Sequence, residues 1–211
     1  MPIKDRRKRE KEQREKDIVD AAEKLIIEKG FEGTSMDDIA AAVELSKPAI
    51  YRYFVNKEDL YFAVACRAMD IVTSMMKKYV DEGHTGLDKA HSTGRAFYDF
   101  YRKYPHQYRI LMNTQYIGSS GVESVHQKKM AETSGFALKL MCAAIDQGKE
   151  DGTIRKDFDT LMAAIYLMQS LSTALEITAG NKKLLALLGK SHDDFVMHSM
   201  DLMLHSIKRE V

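Results

Sequence analysis

From about residue 12 to residue 29, the apolar residues Ile18, Ala22, Leu25 and Ile26 fall at i, i+4, i+7 and i+8. That spacing gathers side chains on one face of an α-helix, and Gly30 follows as a stop. A shorter helix is predicted over 35–43, with Met36, Ile39, Ala40 and Val43 on one face. Thr34 is its candidate N-cap, and Asp37 and Asp38 place negative charge where a helix start favours it. A third helix follows Glu44 and Leu45, with Ser46 as cap and Pro48 in the first turn, where a missing N–H costs little. Ile50 and Phe54, four residues apart, turn inward. Further helices are predicted over 57–82, 87–104, 105–117, 122–149, 158–179 and 192–209, punctuated by Gly83, Gly86, Gly118, Gly121, Gly152 and Gly180. The pattern is all-α throughout.

Two short helices joined by a turn of about three residues form a helix-turn-helix unit, whose second helix enters the major groove of B-DNA. With Ile50 and Phe54 committed to the core, the opposite face presents Lys47, Pro48, Ala49, Tyr51 and Arg52. Short side chains at the head of that helix let the backbone approach a partner. Lys47 and Arg52 have the reach for guanine O6/N7 or for phosphate, and the Tyr51 hydroxyl for phosphate.

The stretch from Phe31 to Ala40 (FEGTSMDDIA), with LSKPAIYRYF from Leu45 and NKEDL from Asn56, resembles the DNA-binding domain of TetR-family repressors. The resemblance implies a three-helix DNA-binding domain over 1–56 with a basic N-terminal arm, and a larger helical ligand-sensing and dimerisation domain over 57–211. It implies phosphate contact for Ser35 and Lys57 and groove-facing positions for Lys47, Pro48, Ala49 and Arg52. Tyr51 and Tyr53 become backbone-contacting aromatics, and Ser46, at the head of the third helix, belongs with this DNA-binding set. Glu44 departs from the family's usual turn glycine, so this turn requires either a left-handed residue or another geometry.

Composition refines the picture. The chain has 211 residues, 45% hydrophobic and 30% charged, with three prolines, the balance of a globular helical protein. Its formal net charge is only +1. The basic residues Lys4, Arg6, Arg7, Lys8, Arg9, Lys11, Arg14 and Lys16 crowd the start, but Asp5, Glu10, Glu12 and Glu15 are interleaved, so charge alone does not establish DNA binding. No apolar run is long enough for a membrane span or a signal peptide, which makes cytoplasmic location the expectation. Cys66 and Cys142 show no ligand spacing and read as buried thiols.

The last two predicted long helices carry apolar residues on more than one side, which calls for burial against both their own domain and a partner. The resemblance supplies the partner as a second copy in a four-helix interface, and Leu161, Ile165, Met168, Val196, Met200, Met203 and Ile207 are the candidate dimer residues. A two-fold dimer predicts a pseudo-palindromic operator. The middle of the chain is rich in aromatics and methionines. Tyr101, Tyr104, Tyr108, Met112, Tyr116, Phe136, Met162, Tyr166 and Gln169 are the candidates for contacting a small, largely apolar or aromatic effector. The expected function is a ligand-responsive regulator, by family default a repressor released from its operator by the effector, with no cofactor.

Rival readings are few. No nucleophile elbow, phosphate-binding loop or HExxH is present, and Ser191-His-Asp-Asp reads as a helix cap rather than a catalytic group, so an enzyme is not expected. Asp194 with His198, and Asp201 with His205, pair at i, i+4 and keep a metal-responsive regulator open. An effector-independent DNA-binding protein is the remaining alternative.

Overall fold

The computed structural model describes residues 3–117 and 124–210, the side chains from residue 5 onward. Ten α-helices are seen among them: α1 (Ile3–Lys29), α2 (Met36–Ala42), α3 (Lys47–Ile50), α4 (Lys57–Asp81), α5 (Gly86–Lys103), α6 (Pro105–Asn113), α7 (Val125–Asp151), α8 (Thr160–Leu175), α9 (Ala179–Leu187) and α10 (His192–Ile207). A 3-10 turn, Thr114–Tyr116, follows α6. Gly118, Gly121 and the start at residue 122 expected for α7 lie outside the described residues. None of the described helices is by itself long and apolar enough to cross a membrane.

The chain divides into two compact units, Met1–Asp70 with His106–Thr133, and Ile71–Pro105 with Ser134–Val211. In the first, Ile18, Ala22, Ile39, Ile50, Phe54 and Leu60 are fully or almost fully buried. Phe54 stacks on the His126 ring at 5.5 Å. His126 Nδ1 lies 2.7 Å from Asp59 Oδ1, and the other oxygen of that buried carboxylate accepts from the Val55 N–H at 3.0 Å. Asp59 thereby fastens the segment that leaves α3 to the start of α4. The Tyr61 hydroxyl donates to the Ile110 carbonyl at 2.8 Å, and burial pushes its pKa up to about 12. Arg67 on α4 reaches Asp20 and Glu23 on α1.

α1 begins at Ile3, well before the expected residue 12. Its first turns have no apolar period to read. They are laced by the exposed i, i+4 pairs Arg6–Glu10 and Lys8–Glu12, each contributing a few tenths of a kcal/mol. The cap of α2 is Ser35 rather than Thr34. The Ser35 hydroxyl accepts from the Asp38 N–H, the Asp38 carboxylate accepts from the Ser35 N–H, and the buried Thr34 hydroxyl turns back to the Gly30 carbonyl. The two Ser35 hydrogen bonds to the carboxylate, with Lys29 beside it, hold the Asp38 pKa down at about 2.

Glu44 takes the first of the two geometries open to it, with φ 54°, the only non-glycine residue at positive φ among those described. For an L-residue that conformation costs about 1–2 kcal/mol. Glu44→Gly is therefore expected to stabilise the protein by about 1 kcal/mol, read as a higher thermal midpoint. An unchanged or lower midpoint would show that the Glu44 side chain offsets the strain.

In the second unit a core of Met141, Ala144, Ile145, Ile154, Ala164, Leu167 and Ile207 joins α7, α8 and α10. α8 packs chiefly on α10, and both touch α5. The loop after α7 contributes Ile154, which is fully buried and bridges to Lys208, while the Arg155 N–H donates to the Ile207 carbonyl at 3.0 Å. α5 and α7 cross at two glycines. A Cβ on Gly86 would fall 1.9 Å from the Gly148 nitrogen, and one on Gly148 would fall 2.5 Å from the Ile154 side chain.

α8 stops at Leu175, and α9 follows where none was expected. Gly180 is no break, since Thr178 caps α9 and the glycine sits inside its first turn. Leu184, Leu187 and Leu188 are exposed, so the helix has no buried face for a sequence period to reveal. Ser191 caps α10 in a reciprocal box with Asp194, as the sequence indicated.

Candidate nucleic-acid interface and effector cavity

α3 is short because Pro48 sits at its first turn and the chain leaves the helix after Ile50 in a turn through Tyr53. Ile50 and Phe54, both 0% exposed, fix its rotation. Lys47, Pro48, Tyr51 and Arg52 are exposed, and Ala49 and Tyr53 half-exposed. Ser46 holds the N-cap position but its side chain makes no capping bond. Lys47 Nζ lies 2.8 Å from Asp37 Oδ2, which raises its pKa and keeps it cationic. That pair also orients the side chain along α2. The Ser35 hydroxyl is engaged with Asp38, and Lys57 Nζ sits 4.2 Å above the Phe31 ring.

The residues that complete this surface belong to the basic N-terminal arm, whose members the sequence did not tell apart. Arg7, Lys11 and Arg14 of α1 line a trough with Glu10, Arg52 and Tyr53. Their i, i+4, i+7 spacing puts them on one helical face, the signal that distinguishes them from the other basic residues of the segment. The trough and the exposed face of α3 bring cationic and phenolic groups together around a short helix with small residues at its head. Such a surface suits a polyanion with a groove.

The second unit holds an apolar cavity of about 80 Å³ between α4, α5, α7, α8 and α10. Met76, Phe97, Met141, Leu167, Leu171 and Met200 supply most of its wall, and His91, Thr93 and Ser172 its polar atoms. None of the nine effector candidates read from the sequence lines it. Met162, Tyr166 and Gln169 face outward on α8, Tyr104, Tyr116 and Phe136 are exposed, Tyr108 and Met112 belong to the first unit, and Tyr101 lies at the His192 ring. Large aromatics are conspicuous in a sequence, whereas a cavity forms where Ala90, Thr93 and Gly94 leave room.

The dimer candidates separate by burial. Leu161 and Ile165 are exposed, each at 48%. Val196 and Ile207 are buried inside the chain, and Met168, Met200 and Met203 line the cavity. The outward apolar face of α8 and α10 is instead Leu161, Met162, Ile165, Tyr166, Met197 and Leu202. Asp194, one of the residues that kept a metal-responsive alternative open, is used in the α10 cap, and His205 Nδ1 lies 2.7 Å from the Asp201 carbonyl. Cys66 and Cys142 are free thiols, buried and half-buried respectively, and burial pushes the Cys66 pKa up to about 11.

Residues 18–64, which span α2, α3 and the Asp59 fastening, match the family described as bacterial regulatory proteins, tetR family. Over that segment the chain is similar to transcriptional regulators of the TetR family. Among curated relatives, the HTH-type transcriptional regulator SAR2658 of Staphylococcus aureus is 29% identical over 79% of this chain and 82% of its own length. The HTH-type transcriptional activator FasR of Mycolicibacterium smegmatis is 26% identical over 51% of this chain, and the match spans only 49% of FasR. The crystal structure of the regulator FadR from Bacillus subtilis in complex with stearoyl-CoA superposes with a TM-score of 0.66 at 18% identity, covering 89% of this chain and 96% of that one. That likeness extends the TetR fold beyond the matched segment.

Proposed function

We propose that this chain is a TetR-family regulator, a cytoplasmic, ligand-responsive repressor that binds a pseudo-palindromic operator as a homodimer and is released by a small, largely apolar or aromatic effector. The observation that carries the DNA half is the rotation of α3, which buries Ile50 and Phe54 and leaves Lys47, Pro48, Tyr51 and Arg52 exposed. Residues 1–56, including Ser35, Ser46, Ala49 and Tyr53, form the operator-binding part, with Lys57 just beyond them. The remainder senses the effector and dimerises through the outward apolar face of α8 and α10. The cavity supports the effector half, and stearoyl-CoA in FadR is a precedent within the same fold. An occupant that favours the conformation with mis-spaced recognition helices lowers operator affinity by its differential affinity for the two states.

The test is fluorescence anisotropy on the protein's own upstream DNA against scrambled DNA, across a salt series. Tight, sequence-dependent binding is expected, with a loss of about 2–4 kcal/mol when Lys47 and Tyr51 are both replaced by alanine. Equal weak binding to both DNAs would overturn operator recognition. Because Lys47 is paired with Asp37, Asp37→Ala is a useful companion: it frees the ammonium group and is expected to leave specific binding within threefold of the wild type.

A further inference from the structure

The polar atoms of the cavity are few enough to be followed one by one. Its wall contains no Asp, Glu, Lys or Arg. The Thr93 hydroxyl donates to the Lys89 carbonyl at 3.0 Å, and the Ser172 hydroxyl donates to the Met168 carbonyl at 3.1 Å, so both protons are spent on their own helices. His91 remains, an imidazole at the cavity with no hydrogen bond to another described residue. Burial pushes its pKa below the ordinary value and Arg95 adds to this, against opposition from Asp201 and Asp88.

One turn further along α5 lies Gly94. A glycine weakens a helix interior, and here no close packing requires one. A Cβ at this position would meet only Met200 Cε at 3.4 Å and a Leu171 methyl at 3.6 Å, which is ordinary contact. What the glycine does is keep space open beside His91. Around that space stand the methionines Met76, Met141, Met168, Met200 and Met203, whose unbranched side chains repack to fit an occupant larger than the resting cavity.

We infer that the cavity takes an uncharged amphiphile, an apolar body with one hydroxyl or carbonyl end, whose body lies along Gly94 and whose polar end hydrogen-bonds to His91. This rests on the effector reading above and narrows it. A carboxylate, a phosphate or a coenzyme A moiety finds no cation in the wall, and burying an unpaired charge there is far costlier than burying a hydroxyl that keeps one hydrogen bond. His91 is thus the specificity-determining residue and Gly94 the residue that makes room.

The experiment uses the full chain labelled at the methionine methyl carbons, with 1-octanol, octanoate and octyltrimethylammonium as probes of equal chain length at pH 8. Single Met→Leu variants assign the resonances. 1-Octanol is expected to shift the methyls of the cavity methionines saturably, and the two ions to bind at least about tenfold more weakly. His91→Leu should weaken 1-octanol about tenfold, and Gly94→Leu should abolish its shifts while circular dichroism and the melting curve show an intact fold. Equal binding of octanoate and 1-octanol, or an unchanged 1-octanol affinity in His91→Leu, overturns the inference and leaves the effector cavity standing. Cavity methyls that respond to none of the probes overturn the cavity reading and the inference together.

Discussion

Phe54→Ala is expected to destabilise the protein by about 3–5 kcal/mol, a large part of the folding free energy of an ordinary domain. The side chain is fully buried and stacks at 5.5 Å on His126, which is itself fixed at 2.7 Å to Asp59. Truncation removes the transfer free energy of the ring and leaves a void bounded by α3 and α7. The Asp59–Val55 hydrogen bond then holds a segment that has lost its anchor. Urea unfolding gives the number, and a loss below about 1 kcal/mol would mean that the site collapses around the alanine. Operator affinity should fall with it, because the rotation that exposes Lys47 and Tyr51 is set by Phe54 and Ile50.

The second large effect concerns the outward face of α8. Leu161→Asp with Ile165→Asp is expected to give a species sedimenting at the 24.0 kDa of the single chain. Both positions are exposed and belong to the apolar face assigned to the partner copy. Carboxylates buried there without counter-charges would weaken association by roughly a thousandfold or more. The fold should be untouched, since neither side chain contributes to the core around Ile145 and Leu167. A dimer that survives both substitutions would place the two-fold contact elsewhere, with the exposed leucines of α9 the next surface to change.

The helix-turn-helix was legible because its signals are local. A period of three to four residues, Pro48 at a helix start and an acidic first turn all act within a few positions, and the structure keeps Ile50 and Phe54 inside and Glu44 left-handed. The extension of α1 to Ile3 was not legible, because charged i, i+4 pairs support a helix that has no apolar stripe. α9 escaped for a related reason: its leucines point outward and Gly180 looks like a stop. The larger failure was in α8 and α10. Both are apolar on two sides, and nothing in their period says which side meets their own domain. Val196, Met200 and Ile207 face inward, Leu161 and Ile165 outward, and only packing against α5 and α7 makes that choice. The cavity was missed because it is bounded by small and flexible residues, while the sequence advertises large rigid ones.

The crossing of α5 and α7 has a consequence for the protein's mutational history. Every missense change in a glycine codon adds at least a Cβ, and at position 86 that atom would fall 1.9 Å from a backbone nitrogen, where no side-chain rotation relieves it. A Cβ at position 148 would fall 2.5 Å from the Ile154 side chain, which would have to shift within the core to admit it. Codon 86 therefore has no neutral missense neighbour, so drift can reshape the cavity and the exposed face of α3 while that position stays closed to change.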